Sequence, residues 1–395
     1  MPTILLRHAD VLVCMDDERR ELPDGGLFAR DGVIEQVGKS SELPSQADRV
    51  IDLKGQVLIP GLVNTHHHLY QNLTRLLPSA QDAALFDWLK NLYPVWSRIT
   101  PEGFAVAAQV GLLELLHSGC TTCSDHQYIF PNGAKLDDSI EAATSTGIRF
   151  HALRGSMSVG ESAGGLPPDD LVEADDHILE DSERLIHRYH DPSASARLQI
   201  ALAPCSPFSV SQELMRDSAT LARNHGVRLH THLAENDEDV RYSRERFGCT
   251  PGEYAESLGW VGDDVWHAHC VQLNERDIER FASTGTGVAH CPCSNMRLAS
   301  GIAPIRAMLS AGVPVGLGVD GSSSNDAGHL LAEARQMLLL QRLAQGADAF
   351  SAREALAVAT RGGAEVLGRS SHLGQLKVGF HADCAAFAVD DLCHA

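Results

Sequence analysis

Residues 57–70 read VLIPGLVNTHHHLY, a short apolar, β-branched run that ends in three consecutive histidines. The same arrangement recurs three times downstream. His232 and Glu235 close RLHTHLAEN at 228–236, His269 closes VWHAHCV at 265–271, and Asp320 closes VPVGLGVDGSSS at 313–324. In an extended strand, residues i and i+2 point to one side, so His66 and His68 are expected to grip one ion together. Imidazoles joined by one carboxylate form the ligand set of a zinc-type catalytic centre that keeps a position open for water. A lone His-x-His is more often a surface pair or a core pair, and Asp-Gly alone reads as a turn. Four such segments in order, each at a strand exit, carry the metal reading. His67, between the two ligands, is expected to face the other way and to serve packing or a supporting hydrogen bond.

Outward from these segments, eight strand-like runs alternate with helix-like stretches. They are VLIPGLVNTH, CTTCSDH, IRFHALRG, LQIALAPCS, VRLHTHLAE, DVWHAHCV, TGVAHCPCS and VPVGLGVDG. Between them, PEGFAVAAQVGLLELLHSG and QELMRDSATLARNHG place apolar residues at helical spacing and end in glycine. Eight strands alternating with helices predict an α/β fold, a (β/α)8 TIM-type barrel over residues 59–370, with every candidate ligand at its C-terminal face. Residues 1–58 are rich in short β runs, with Asp31-Gly32 as a hairpin signal. The chain returns to β character in HLGQLKVGFHADCAAFAVDD. A small β domain built from both termini, 1–58 and 371–395, is expected, and its C-terminal part reads as cut short at Ala395.

Composition narrows the function classes. A chain of 395 residues with a formal charge of −20 is a poor partner for a nucleic-acid backbone or an anionic membrane surface, both of which call for basic patches. No stretch approaches the roughly 20 apolar residues of a membrane span, and the N-terminus lacks a signal-type core. The 10 cysteines form no dense framework, so a reduced, cytoplasmic protein is expected. Cys120-x-x-Cys123 flanks a strand rather than a zinc-ribbon turn, so it is not read as a structural zinc site.

Together the motifs PGLVNTHHH, HTHLAE, AHC and GVDGSSSND resemble the amidohydrolase superfamily, in its branch of ring-amine deaminases and triazine hydrolases. The resemblance covers nearly the whole chain. Within the branch, RLLPSAQDAALFDWLKNLYPVW, SAGGLPPDD, APCSPFSVS and HCPCSNMRLASGIAP are most similar to 8-oxoguanine deaminases. The resemblance implies that His66, His68, His232 and Asp320 bind one divalent metal, with Glu235 and His269 beside its water and the substrate. Zinc is the expected ion and ferrous iron the alternative. Some relatives bridge two metals with a modified lysine after the fourth strand. The lysines here are Lys39, Lys54, Lys90, Lys135 and Lys377, none of which can reach that place, so one metal per chain is expected.

The chemistry expected is hydrolytic deamination of a purine-like heterocycle, 8-oxoguanine plus water giving urate plus ammonia. Glu235 would shuttle a proton, His269 would hold the tetrahedral intermediate, and Asp320 would pass the second proton to the leaving amine. The alternatives are an isoxanthopterin or other pterin deaminase, a guanine deaminase, or a chloro- or amino-s-triazine hydrolase. Gln71, Trp96, Arg154, Cys205, Phe208, Ser294 and Asn295 follow strand ends and are candidate substrate contacts. The insert through Trp96 is a candidate lid. Guanine deaminases tend to carry an arginine near Cys205, a departure that counts against plain guanine. A non-catalytic barrel would have lost a ligand or Glu235, and neither is missing. The Pro-Cys-x-x-Cys motif of the zinc nucleobase deaminases does not occur. The partner expected is a small heterocycle, with no nucleic acid and no membrane; a homodimer is an open reading.

Overall fold

The chain builds an open outer sheet first and a closed barrel second, and a computed structural model describes residues 1–389 of it. Five strands come before the barrel: β1 Thr3–Val13, β2 Glu21–Arg30, β3 Val33–Lys39, β4 Arg49–Asp52 and β5 Gln56–Pro60. The barrel follows as β6 Leu62–Asn64, β7 Cys120–Gln127, β8 Arg149–Ser156, β9 Leu198–Pro204, β10 Arg228–Leu233, β11 Val265–His269, β12 Gly287–His290 and β13 Val315–Leu317. These eight pair in parallel and close through β13 against β6. This is a (β/α)8 barrel. A last strand, β14 Cys384–Ala388, returns to the outer sheet, whose order is β14-β5-β1-β2-β3 with β4 beside β1. The small β domain is therefore built from both ends of the chain. The C-terminal stop at Ala395 lies outside the described residues.

Local chemistry explains the elements. Asp31 and Gly32 have φ of 50° and 78°, the twist that lets a two-residue turn join β2 to β3. The helix Gln212–His225 starts at Ser211, whose hydroxyl accepts from the Leu214 amide, and stops at left-handed Gly226. A serine cap of this kind is worth about 1 kcal/mol. Leu214, Met215, Ala219 and Ala222 give that helix its buried face. The outer sheet has its own apolar core of Leu6, Leu12, Leu27, Ile34, Leu58 and Phe380.

Two readings of the sequence change. The run Val57–His66 is not one strand: Gln56–Pro60 pairs with β1 and β14 in the outer sheet, and Leu62–Asn64 enters the barrel. The switch falls at Gly61, where a Cβ would run into the side chain of Thr121, so only glycine lets the chain pass this close to the start of β7. Among the described residues of the C-terminal segment only Cys384–Ala388 is a strand, because the residues before it are spent on turns and a single bridge from His381 to Val33.

Candidate active site

Each candidate ligand arrives at the same end of the barrel. His232 lies in β10 and His269 ends β11, whereas His66, His68 and Asp320 lie just beyond β6 and β13 rather than inside them. The alternation survives the end of the strand, and the rings of His66 and His68 sit 4.7 Å apart. His68 Nε2 is 3.1 Å from His232 Nε2, and Asp320 Oδ1 is 3.4 Å from both His66 Nε2 and His68 Nε2. Gly318 makes room for this packing, since a Cβ there would fall 2.7 Å from His66 Cβ. Ala234, His269, Cys270 and Asp320 all hold positive φ, a conformation that costs roughly 1–3 kcal/mol each and persists where the surroundings enforce it.

The hydrogen bonds behind the rings fix their tautomers. His68 Nδ1 donates to the His126 carbonyl at 2.6 Å, and His232 Nδ1 donates to the Cys205 carbonyl at 2.6 Å. His230 Nδ1 donates to the Trp266 carbonyl at 2.9 Å, so its Nε2 is the acceptor for His66 Nδ1 at 2.8 Å. His66, His68 and His232 therefore carry their proton on Nδ1 and direct an Nε2 lone pair into the cluster. His66 Nε2 is buried without a hydrogen-bond partner. Burial holds His66, His68 and His232 below the usual imidazole range, keeping them neutral. Burial opposes the charge on Asp320, yet its carboxyl is held well below the usual range, with His269 among the groups that lower it. Neutral imidazoles with converging lone pairs beside one carboxylate repel one another until a cation sits among them, so the residues fit a divalent metal.

Beside this cluster, His269 Nε2 is 3.5 Å from Glu235 Oε2 and 3.9 Å from Asp320 Oδ2. Burial pushes the Glu235 carboxyl up to about 7; His269 opposes the rise and Asp320 reinforces it. Burial works against a charge on His269, but Glu235, Asp320 and the bond to Asn295 raise it. A cavity opens onto His68, His232, Glu235, His269 and Asp320. Leu85, Trp88, Leu89 and Tyr93 wall it from one face of the helix Leu85–Trp96, opposite Tyr128, Phe208 and Leu298. Its polar wall is Gln71, Cys205, Ser206 and Ser324. Trp88, Tyr93, Tyr128 and Phe208 give the cavity aromatic surface of the kind a planar heterocycle can pack against.

Gln71, Cys205 and Phe208 thus line the cavity, and the other four candidate contacts do not. Trp96 is buried behind the wall, its Nε1 donating to Thr74 Oγ1 at 3.0 Å, because its helix turns only Leu85, Trp88, Leu89 and Tyr93 inward. Arg154 points away, held by Glu173 at 2.9 Å and Asp181 at 2.8 Å with Phe130 beneath it. Ser294 and Asn295 hold the polar groups instead. Ser294 Oγ donates to Asp320 Oδ2 at 2.6 Å, and Asn295 Oδ1 accepts from His269 Nδ1 at 2.9 Å. His67 is buried and accepts from the His68 amide at 2.8 Å. Sequence reading passed over His126, His230, Tyr128 and Trp88. His126 had a signal, since it ends a strand-like run as the ligands do, and it stacks on His232 with centroids 4.9 Å apart. His230 had none. Cys120 and Cys123 are buried free thiols in β7.

Known proteins resemble the chain over almost its full length. The 8-oxoguanine deaminase of Pseudomonas aeruginosa is 50% identical, covering 93% of this chain and 82% of its own. An isoxanthopterin deaminase from an unknown prokaryotic organism is 37% identical over 99% of this chain and 86% of its own. The crystal structure of an atrazine chlorohydrolase from Arthrobacter aurescens TC1, complexed with zinc, superposes with a TM-score of 0.93 at 38% identity, over 98% of this chain and 88% of its own. The sequence model of the amidohydrolase family matches residues 57–394, and with the barrel and the histidine cluster in place the chain belongs to that family.

Proposed function

We propose that this chain is a metal-dependent aminohydrolase that converts 8-oxoguanine and water to urate and ammonia. The observation that carries the reaction class is the position of Glu235: a buried carboxyl that lines the same cavity as His68, His232 and Asp320 and stands 3.5 Å from His269. A carboxyl so placed is within reach to accept a proton and to return it. His66, His68, His232 and Asp320 would hold one divalent ion, zinc before ferrous iron. When bound, such an ion supplies a water acidified toward neutral pH and a counter-charge for developing negative charge. Glu235 takes the proton from the attacking water and delivers it to a ring nitrogen, which makes the amine-bearing carbon more electrophilic. His269 in its charged form, its Nδ1–H tied to Asn295, presents Nε2–H to the oxygen that gains charge. Asp320, steadied by Ser294 and the Gly321 amide at 2.7 Å, is placed to pass the second proton to the departing amine. Ammonia then leaves rather than amide ion.

The substrate choice rests on the aromatic cavity, on Cys205 in its wall, and on the similarity to the Pseudomonas aeruginosa 8-oxoguanine deaminase. Hydrogen bonds to an 8-oxo group discriminate strongly, by up to about 10⁴ in kcat/KM, because guanine would leave those polar groups unpaired. A triazine hydrolase is the second reading, favoured by the superposition on the atrazine chlorohydrolase. The test is product analysis over 8-oxoguanine, guanine, isoxanthopterin and a chlorotriazine. Urate formation should exceed xanthine formation from guanine by a wide margin. Equal rates on both purines, or faster chloride release, would overturn the substrate while leaving the hydrolase chemistry. The same reading has the enzyme act on a free small molecule in the cytoplasm, as a monomer or homodimer.

A further inference from the structure

A second group of metal-ligating side chains lies far from the catalytic cluster. Glu183 and His187 stand one turn apart on the helix Asp175–Tyr189, so they share a face. His225 is the last residue of the helix Gln212–His225, which packs alongside. These helices follow β8 and β9 and run back against them. Their C-terminal ends therefore lie at the opposite end of the barrel from the catalytic residues. His187 Nε2 is 3.7 Å and His225 Nε2 3.5 Å from the same oxygen, Glu183 Oε1. The two rings meet edge-on with centroids 5.0 Å apart, and the ligand atoms of all three residues lie within 4.8 Å of one another.

We propose that Glu183, His187 and His225 form a second, surface site for a borderline divalent transition metal such as zinc. Donor atoms around a tetrahedral ion with bonds of about 2.0–2.1 Å stand roughly 3.3–3.4 Å apart, so the two carboxylate–imidazole separations need close by only a few tenths of an ångström. Two imidazoles and a carboxylate select zinc, copper or nickel over calcium and magnesium, which take oxygen ligands. The approach is acidic: Asp176, Glu180 and Asp217 line the groove between the same two helices, together with Glu183. Among the described residues no lysine or arginine lies within ion-pair distance of Glu183, whose only such partners are the two histidines. The side chains of Glu183, His187 and His225 are 52%, 66% and 22% exposed, so the site exchanges with solvent and leaves coordination positions to water. It therefore binds more loosely than the buried cluster.

The test counts bound ions. The enzyme as purified, dialysed free of loose metal, is equilibrated with Zn²⁺ alone, and bound zinc is measured on the wild type and on the His187→Ala/His225→Ala double variant. The wild type should take up one more equivalent than the double variant, with turnover equal in the two. Glu183→Gln, which keeps the side-chain shape, should weaken that same equivalent. Equal uptake by the wild type and the double variant overturns the proposal. The difference between the two proteins is read whatever the buried cluster holds, so failure of the catalytic-metal reading shows separately, as a change in the count they share.

Discussion

Replacing His230 removes the group that sets the protonation of His66, a proposed metal ligand, without touching His66 itself. In the wild type the Trp266 carbonyl places the His230 proton on Nδ1, and His230 Nε2 accepts from His66 Nδ1 at 2.8 Å. His230→Phe keeps a flat ring to stack on Trp266, now 4.7 Å away between centroids, but offers no acceptor. His66 Nδ1–H is then a buried donor without a partner, a penalty of about 1–3 kcal/mol. The ring escapes that penalty by moving its proton to Nε2, the tautomer that cannot ligate. Loss of such a supporting hydrogen bond lowers metal affinity about 10–100-fold, or about 1.4–2.8 kcal/mol, and the two figures agree. Competition against a fluorescent chelator at fixed pH measures it directly. His230→Gln supplies the control, since its amide oxygen can accept from His66 while its NH₂ donates to Trp266, so its affinity should stay near the wild type. A folded His230→Phe protein that binds the ion within about twofold of the wild type would refute the tautomer argument.

Glu235→Gln keeps size and hydrogen bonding but removes the base, so metal content should persist while turnover falls about 10²-fold or more; near-normal turnover would sink the proton-shuttle assignment. His267 is buried and stacked on Phe281, and burial, partly offset by its bond to the Trp260 carbonyl, lowers its pKa to about 4. A depressed histidine pKa contributes stability that is present above the unfolded value near 6.5 and is lost as pH falls toward 4. From pH 7.5 to pH 5 the His267→Gln variant should therefore gain about 2 kcal/mol on the wild type in urea denaturation, and a pH-independent difference would contradict this.

Part of the site was legible in the sequence because its signals are local. A strand exit is written in a short apolar run followed by turn or helix residues, and ligand chemistry is written in residue type. The sequence therefore singles out His66, His68, His232, Glu235, His269 and Asp320 as candidates, and the barrel brings these six side chains together. The eight alternating runs likewise implied the barrel. The Pro60-Gly61 break was misread because the pairing of Gln56–Pro60 is with β1 and β14, strands remote in sequence.

What the tertiary structure alone decided is which way side chains turn and what stands behind them. His230 is 164 residues from His66 in sequence, and only closure of the barrel sets their nitrogens 2.8 Å apart. Ser294 and Asn295 exit a strand in the same way as the ligands, yet they serve Asp320 and His269 instead of facing the cavity. Arg154 follows the same strand-exit pattern and is drawn outward by Glu173 and Asp181. The sequence by itself determined the fold class and the candidate ligand set, because residue chemistry and strand periodicity are properties of neighbours along the chain. The tautomers, the cavity walls and the surface triad of Glu183, His187 and His225 were decided by tertiary structure, because each depends on hydrogen bonds and contacts between segments that only the closed barrel brings together.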